Sequence, residues 1–502
     1  VAAAAAGAEE RHHILTTTMN RSVTMAICAL SLLAAAGQTA RAQFPEDVLR
    51  YSWQGIGPGG RSLAMGTSGM SFLSDYSAVY WNPAGIAQAR LSEFSTGISY
   101  LSYQNDATYL GTTNSFTNNQ TSLDHLGLIY AVPTARGRLS IGIGYDRTNE
   151  YTTGLAFKGF NPRSSIVQSW APDGQPYPPD EFTRAEILEL AFADTLNGTF
   201  ISPITDSVSQ AGTVLEGGGM GRYSFSVAAE VARKLYLGGA LNFLSGSYSY
   251  SNRYNEDDTR DIYQTFPFDY YGLEVLDIID GDVSGFTINA GMIYEISPAV
   301  KFGLSMRTPS WITVQERFTS DAISWFDNGD SRTDPPGGDP GSYTEYDIST
   351  PWVFSTGLSY GTDDYTLAGS AEFTDYTQME FDNATSTLLA MNTDIKETFR
   401  STINLRLGGE ARIPTTDLLV RAGYILLESP YRDDPSSFNR TYITGGLGLV
   451  LDRVIGIDLS YAYGSWETYR YVYQDGLTGE TFYTDKEDVS THNFKGTVSF
   501  SF

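Results

Sequence analysis

From residue 491 to 502 the chain alternates without a break: Phe494, Val498, Phe500 and Phe502 fall on one face, and Asn493, Lys495, Thr497, Ser499 and Ser501 on the other. A period of two sends successive side chains to opposite sides of an extended strand and excludes a helix, whose repeat is 3.6. The pattern recurs in Leu139, Ile141, Ile143, Tyr145; in Phe286, Ile288, Met292, Tyr294; in Val300, Phe302, Leu304, Met306; and in Ile455, Ile457, Leu459, Tyr461, Tyr463. Fourteen strands are predicted, starting near residues 94, 123, 138, 222, 235, 284, 300, 351, 365, 397, 417, 440, 454 and 489.

The connections constrain the fold further, because they alternate in length. Those after the even strands are only a few residues, as at 133–137, 233–234, 297–299 and 361–364, and those after the odd strands are long. Short turns on one side and long loops on the other are the habit of membrane barrels with an even strand count, the short side being periplasmic. A chain ending on an aromatic residue in the apolar phase, Phe502, is similar to the last strand of bacterial outer-membrane barrels, which the barrel-assembly machinery recognises. The fold class is therefore all-β, a 14-stranded antiparallel transmembrane β-barrel over residues 91–502 with long outer loops.

Composition agrees with one large barrel: 33 Tyr, 26 Phe and 50 Gly in 502 residues, with no later apolar run long enough for a membrane helix. Ahead of the barrel, Met19-Asn20-Arg21, the apolar run 25–36 and Ala40-Arg41-Ala42 read as a signal peptide over 19–42 cleaved after Ala42, which directs the protein to the outer membrane of a Gram-negative-type bacterium. Residues 1–18 are expected to be an upstream over-read of the gene start. Cys28, the one cysteine, lies inside the signal, so no disulfide, cysteine metal site or cysteine nucleophile is expected downstream. A net charge of −26 opposes nucleic-acid binding.

Fourteen strands enclose a lumen too wide for wall side chains to fill. Residues 43–90 are predicted to fold inward as a hatch, because they precede the first strand and carry Gly55, Gly57, Gly59, Gly60, Gly66 and Gly69, which permit close backbone approach. Asn82-Pro83 is also a common turn-starting pair, so a simple corner between hatch and first strand accounts for it as well.

The hatch residues resemble those of the FadL and TodX type of outer-membrane fatty-acid and hydrocarbon transporters. The resemblance rests on the Gly-rich lead-in with Arg61, Ala64 and Gly66, on Ser74-Asp75 and Ser77-Ala78-Val79, and on Asn82-Pro83-Ala84-Gly85. It implies a hatch-plugged barrel that passively moves hydrophobic small molecules, captured by outer loops, held in an apolar interior pocket and released by a hatch shift with a lateral opening in the wall. Relatives of the PorV type share the shape while serving as partners of exported proteins, so a non-transporting barrel that binds secreted or surface proteins is the alternative. The expected partners are outer-membrane lipid and a hydrophobic ligand, with no cofactor, and the barrel is expected to be monomeric.

Candidate ligand contacts follow from position. Apolar residues in the outer loops, Leu188 on a predicted helix over 185–196 and Phe266 and Phe268 within the loop 253–283, offer a capture surface. Glu230, Glu295, Lys301, Arg307, Glu372, Arg406, Glu410, Arg412 and Arg421 face the lumen by alternation, where charges ordinarily pair with each other or with a plug. If the ligand is a carboxylate, Arg307 or Arg406, expected near mid-height, would hold its head group. Asp327, Asp330, Asp334 and Asp339 form an acidic loop without the spacing of a calcium-binding hand, so no metal site is assigned. The mature chain has only His125 and His492, both on strands, and no catalytic role is expected.

Overall fold

A computed structural model describes residues 45–53, 55–170, 194–196, 199–201, 204–264, 269–335, 338–452, 454–475 and 480–502. The predicted over-read and signal, Leu188, Phe266 and Phe268 lie outside the described residues. Of the helix predicted over 185–196, the last three residues are described, and Asp194–Leu196 is a strand paired with Thr199–Ile201.

Fourteen antiparallel staves form one closed barrel. They are β1 (Glu93–Tyr109), β2 (Thr112–Val132), β3 (Leu139–Glu150, continued by Thr153–Asn161), β4 (Val208–Ala232), β5 (Leu235–Asp257), β6 (Tyr270–Glu295) and β7 (Val300–Arg307, continued by Trp311–Phe326). The circuit is completed by β8 (Ser342–Ser349, continued by Val353–Gly361), β9 (Tyr365–Asp375), β10 (Ser401–Arg412), β11 (Leu418–Leu427), β12 (Arg440–Leu451), β13 (Ile455–Thr468) and β14 (Lys486–Ser501). Closure is made by β1 against β14, in register from Glu93↔Ser501 to Thr108↔Lys486, and Ser92 and Phe502 exchange backbone hydrogen bonds of 3.0 and 2.9 Å at its base.

The apolar phase of the staves faces outward. Ile98, Phe225, Phe243, Leu407, Leu459 and Phe494 are 49–64% exposed. An apolar surface running around the whole wall would be untenable in water and fits a lipid-facing band. No helix among the described residues is long and apolar enough to cross a membrane, which bears only on helices.

Two expectations about length are corrected. First, β4, β5 and β6 run to 25, 23 and 26 residues, whereas about 10 suffice to cross a bilayer. Most of the predicted loop 253–283, and the sequence on both sides of the acidic loop, is therefore paired strand that carries the wall beyond the membrane. Second, the connection after β1 is not long: Leu110 and Gly111, both at positive φ (47° and 76°), make a two-residue hairpin. The connection between β9 and β10 holds helix α4 (Ser386–Thr398), so the strand predicted to start near 397 begins only at Ser401. Both β7 and β8 are interrupted beside a proline, Pro309 and Pro351, which cannot donate to a ladder. Across that double break Ser310 N donates to Thr350 Oγ1 (2.8 Å) and Thr350 N to Ser310 O (3.1 Å).

Residues 45–53 and 55–89 occupy the lumen. The first helix, α1 (Pro45–Ser52), lies in its upper half, with Val48, Leu49 and Tyr51 packed against Tyr151, Tyr248 and Ile312 of the wall and Leu388 and Ile395 of α4. Below it, α2 (Gly60–Ala64), α3 (Ala78–Trp81) and two 3-10 turns, Gly69–Ser71 and Pro83–Gln88, fill the lower half. Their apolar side chains, among them Leu73, Tyr76, Val79, Tyr80 and Ile86, pack on Ile129, Tyr236 and Ile293.

Candidate functional site

The lower hatch fits because the wall is cut back to glycine where the two meet. A Cβ at Gly408 would stand 2.0 Å from Met65 O, one at Gly423 2.2 Å from Gly66 N, one at Gly238 2.5 Å from Ala84 N and one at Gly303 2.5 Å from Met70 O. Gly66 itself needs glycine twice over, since its φ is +58° and a Cβ would lie 2.3 Å from Leu407 O. Its N–H donates to Thr444 Oγ1 at 3.1 Å. Arg61 sends Nε and Nη2 to the two oxygens of Glu410 (3.2 and 2.9 Å), so the hatch is tied to β10 by a bidentate ion pair.

Asn82 does more than turn the chain. Its Oδ1 accepts from Ala84 N (3.2 Å) as the cap of the Pro83–Gln88 turn, while Nδ2 donates to Met70 O (2.8 Å), Met292 O (3.1 Å) and Leu304 O (3.2 Å). The side chain thus clamps two hatch segments to β6 and β7. Pro83, Ala84 and Gly85 are buried behind it, and a Cβ at Gly85 would meet Leu73 O at 2.4 Å. Replacing Asn82 with Asp turns the donor into an acceptor aimed at three carbonyls. We expect Asn82→Asp to loosen the hatch by about 1–3 kcal/mol more than Asn82→Ala, read as faster protease cleavage within residues 57–89.

The lumen charges are paired. Arg406 binds Glu372 at 2.9 Å, both almost fully buried, and lies over the Trp81 ring at 5.1 Å. Arg307 and Arg222 flank the Tyr80 ring at 5.2 and 4.5 Å. The head-group candidates Arg307 and Arg406 thus lie against hatch aromatics, Tyr80 and Trp81, and Nη2 of Arg406 is held by Glu372. Arg421 bridges Glu410 and Asp458 (2.6 and 2.5 Å), Lys301 Nζ donates to Gln88 Oε1 (2.5 Å), Tyr236 Oη donates to Glu295 (3.2 Å), and Lys234 N donates to Glu230. Arg412 is exposed at the short-turn end.

A second constellation was not anticipated. In the β1–β2 ladder Gly97 pairs with His125 and Ile98 with Leu123, which leaves Asp124 as the extra residue of a β-bulge. The bulge turns two consecutive side chains into the lumen, where plain alternation would send one outward. Asp124 Oδ1 pairs with Lys495 Nζ (2.5 Å), Oδ2 accepts from Gly59 N (2.8 Å), and Lys495 also donates to Gly57 O (2.5 Å). His125 Nδ1 meets Asp124 Oδ2 at 2.9 Å, its Nε2 meets Ser95 Oγ at 2.8 Å, and its ring stacks on Tyr76. The Ser–His–Asp order resembles a hydrolytic triad, but Ser95 is 3% exposed beneath the hatch and Asp124 is shared with Lys495 and Gly59, so the group serves to hold the plug.

The bulge also marks a seam. The β2–β3 ladder ends at His125↔Asp146, where Arg222 pairs with Asp146 at 3.0 Å. Beyond that point β3 stays with β4 as far as Asn161↔Val208 and no β2–β3 pairing is described, while β1 and β2 stay paired up to their hairpin. The upper part of β3 follows the inner face of that hairpin, held by side chains alone: Asn118 Nδ2 donates to Thr153 O (2.9 Å), Asn105 Nδ2 to Gly154 O (3.1 Å) and Ser122 Oγ to Glu150 (3.3 Å).

Above the lower hatch the described residues pack across the lumen. Glu256, fully buried, accepts from Ser165 Oγ, Ile166 N, Gln210 Nε2 and Tyr254 Oη at 2.5–2.7 Å, which pins the segment after β3 across the top. Trp53 stacks on Tyr376 and under Arg440, and Arg50 lies 3.9 Å from the Tyr248 ring centre. The space between Leu155, Phe157, Tyr254 and Val472 is about 70 Å³, well below the roughly 300–1,000 Å³ of a ligand pocket. Within the predicted loop 253–283, Tyr270 and Leu273 are buried in β6 and Tyr271 is exposed. In the acidic loop, Asp339 accepts from Ser320 N and its own N–H donates to Asp321; among the described residues no three metal-ligating side chains converge.

No protein-family model and no curated protein matches the sequence. Solved structures do match. A FadL homologue of Pseudomonas aeruginosa superposes with a TM-score of 0.56 at 13% identity, covering 90% of this chain and 100% of that one. The toluene transporter TodX of Pseudomonas putida gives 0.53 at 14%, covering 89% and 99%, and the CymD monoaromatic hydrocarbon channel 0.50 at 15%, covering 89% and 98%. At these identities the likeness is one of fold: the chain has the barrel fold of these FadL- and TodX-type structures.

Proposed function

We propose that the protein passes hydrophobic small molecules, fatty acids or hydrocarbons, across the outer membrane of a Gram-negative-type bacterium without an energy source of its own. The seam carries this reading. A ladder that stops at His125–Asp146, in a wall whose lumen is plugged below, offers a lipophile one exit that avoids both water and the hatch: sideways, between β2 and β3, once the Asn118, Asn105 and Ser122 contacts part. Those side-chain hydrogen bonds, at about 0.5–1.5 kcal/mol each, and the packing of Tyr109 on Phe157 hold the two segments without any backbone ladder to unzip. The likeness to the TodX and FadL-homologue folds supports the same reading. Loading requires α1 or the segment pinned by Glu256 to move, since the upper chamber is filled.

The test locks the seam. Cysteines at Ser122 and Glu150, joined by a short bismaleimide, are expected to cut uptake of a labelled fatty acid or alkylbenzene at least tenfold in cells. Uptake unchanged by the cross-link would remove lateral release. Native mass spectrometry of gently extracted protein checks the ligand class, the expected adduct being an aliphatic or aromatic molecule.

A second reading, a barrel that holds a secreted or surface protein, draws on the filled, ion-paired lumen. A stably co-extracted exported protein, with no small-molecule adduct and no uptake, would favour it.

A further inference from the structure

We propose that the outer wall carries a dedicated site for one acyl chain of a membrane lipid, set across β6–β10 on the lipid-facing side. A cleft of about 580 Å³ opens there. The ladders explain it. Met306, Phe354, Phe373 and Ile403 stand side by side in one outward row. In the row beneath, Thr356 pairs with Ala371, so two small residues lie under two phenylalanines and leave a notch. The upper row is 37–50% exposed and rims the cleft.

Its depth identifies what it meets. Thr356 lies four residues from Trp352 on one side and four from Tyr360 on the other, and Ala290, at the cleft's edge, stands midway between Phe286 and Tyr294 in the same way. Those aromatics mark the two interfaces, so the notch sits near the middle of the hydrocarbon, roughly 13 Å of strand from either. No head group, polar solute or water is available at that depth. The polar groups of the lining are already engaged or turned away: Thr356 Oγ1 donates to Gly303 O (3.4 Å), Ser305 Oγ to Ala290 O (3.4 Å), Ser355 is buried, and Glu372 turns to the lumen, where Arg406 holds it.

Shape chooses between occupants. A second barrel presents a convex wall, which cannot enter a notch two residues wide, whereas a single methylene chain can. Behind the notch the wall is thin. Gly291, Gly303 and Gly357 separate it from Asn82 and Met70 of the hatch. A chain in the cleft therefore packs against the outside of the strands that the hatch grips from within, a role independent of what the barrel transports.

The experiment uses the full-length barrel in liposomes containing a phosphatidylethanolamine with a mid-chain photoreactive group. Cross-links are expected to concentrate at least fivefold in residues 352–373 over the opposite wall, residues 443–463. Ala371→Phe, which fills the notch, is expected to abolish that excess, and Leu447→Phe on the opposite wall to leave it. Even labelling around the wall, or an excess that survives Ala371→Phe, would overturn the site. A barrel–barrel adduct in native mass spectrometry that disappears with Ala371→Phe would replace the lipid with a second copy.

Discussion

Replacing Lys495 with methionine is expected to free the hatch at its junction with β1, β2 and β14. The ammonium is the cation that the structure sets against the buried Asp124 carboxylate, and it also donates to Gly57 O. Methionine keeps most of the side-chain volume but strands the carboxylate among buried groups. Breaking one side of a buried pair costs about 3–5 kcal/mol, against ~1 kcal/mol or less for an exposed one. Divided by 1.4 kcal/mol per decade, that raises the released fraction of the hatch by roughly two to three and a half orders of magnitude. Protease cleavage between residues 55 and 69 should accelerate accordingly, while the barrel wall, read by heat-modifiable gel mobility, stays folded. Asp124→Asn in the same chain removes the stranded charge and keeps an acceptor for Gly59 N, so the double variant should recover most of the protection. Equal cleavage in the two variants would mean that Asp124 is not a charged partner of the hatch.

That latch was invisible in the sequence, for a physical reason. A bulge adds one residue to one strand without altering composition, and Asp124-His125 reads as an ordinary outward–inward pair until the partner strand fixes its register. The outer halves of the staves were hidden differently. In residues 112–120 both strand faces meet polar surroundings, so the alternation of hydrophobicity that reveals a membrane stave is absent although the strand continues. Conversely the lipid-facing stretches, from Leu139 or Ile455, were legible because one face must be apolar and the other must not. Asn82-Pro83-Ala84-Gly85 was legible as a motif, but its grip on Met292 and Leu304 depends on residues more than 200 positions away. Alternation set Arg307, Arg406 and Arg421 toward the lumen but also placed Arg412 there, which lies exposed at the turn end, and missed the buried Arg222; which aromatic each faces depends on the hatch fold.

The glycines of the wall were the least legible part, since a glycine in a strand ordinarily signals a weak point or a bulge. Here adjacent residues separate the two meanings. A Cβ at Gly408 would lie 2.0 Å from Met65 O and 2.7 Å from Met65 C, backbone that no rotamer change can move aside. A Cβ at Gly409, pointing to the lipid, would meet only the tip of Leu367 at 3.2 Å. Gly408→Val is therefore expected to push the 65–68 turn out of its seat between β10 and β11, with the overpacking cost of about 1–3 kcal/mol or more falling on the hatch. Gly409→Val changes the same ladder position class and the same strand propensity without touching the plug. In planar bilayers the first variant should show channel openings at least tenfold more frequent than the unaltered protein, and the second should match it. In cells the first should admit vancomycin. If both variants conduct alike, the seal lies in strand stability; if neither conducts, the upper plug around α1 and Glu256 suffices to close the lumen.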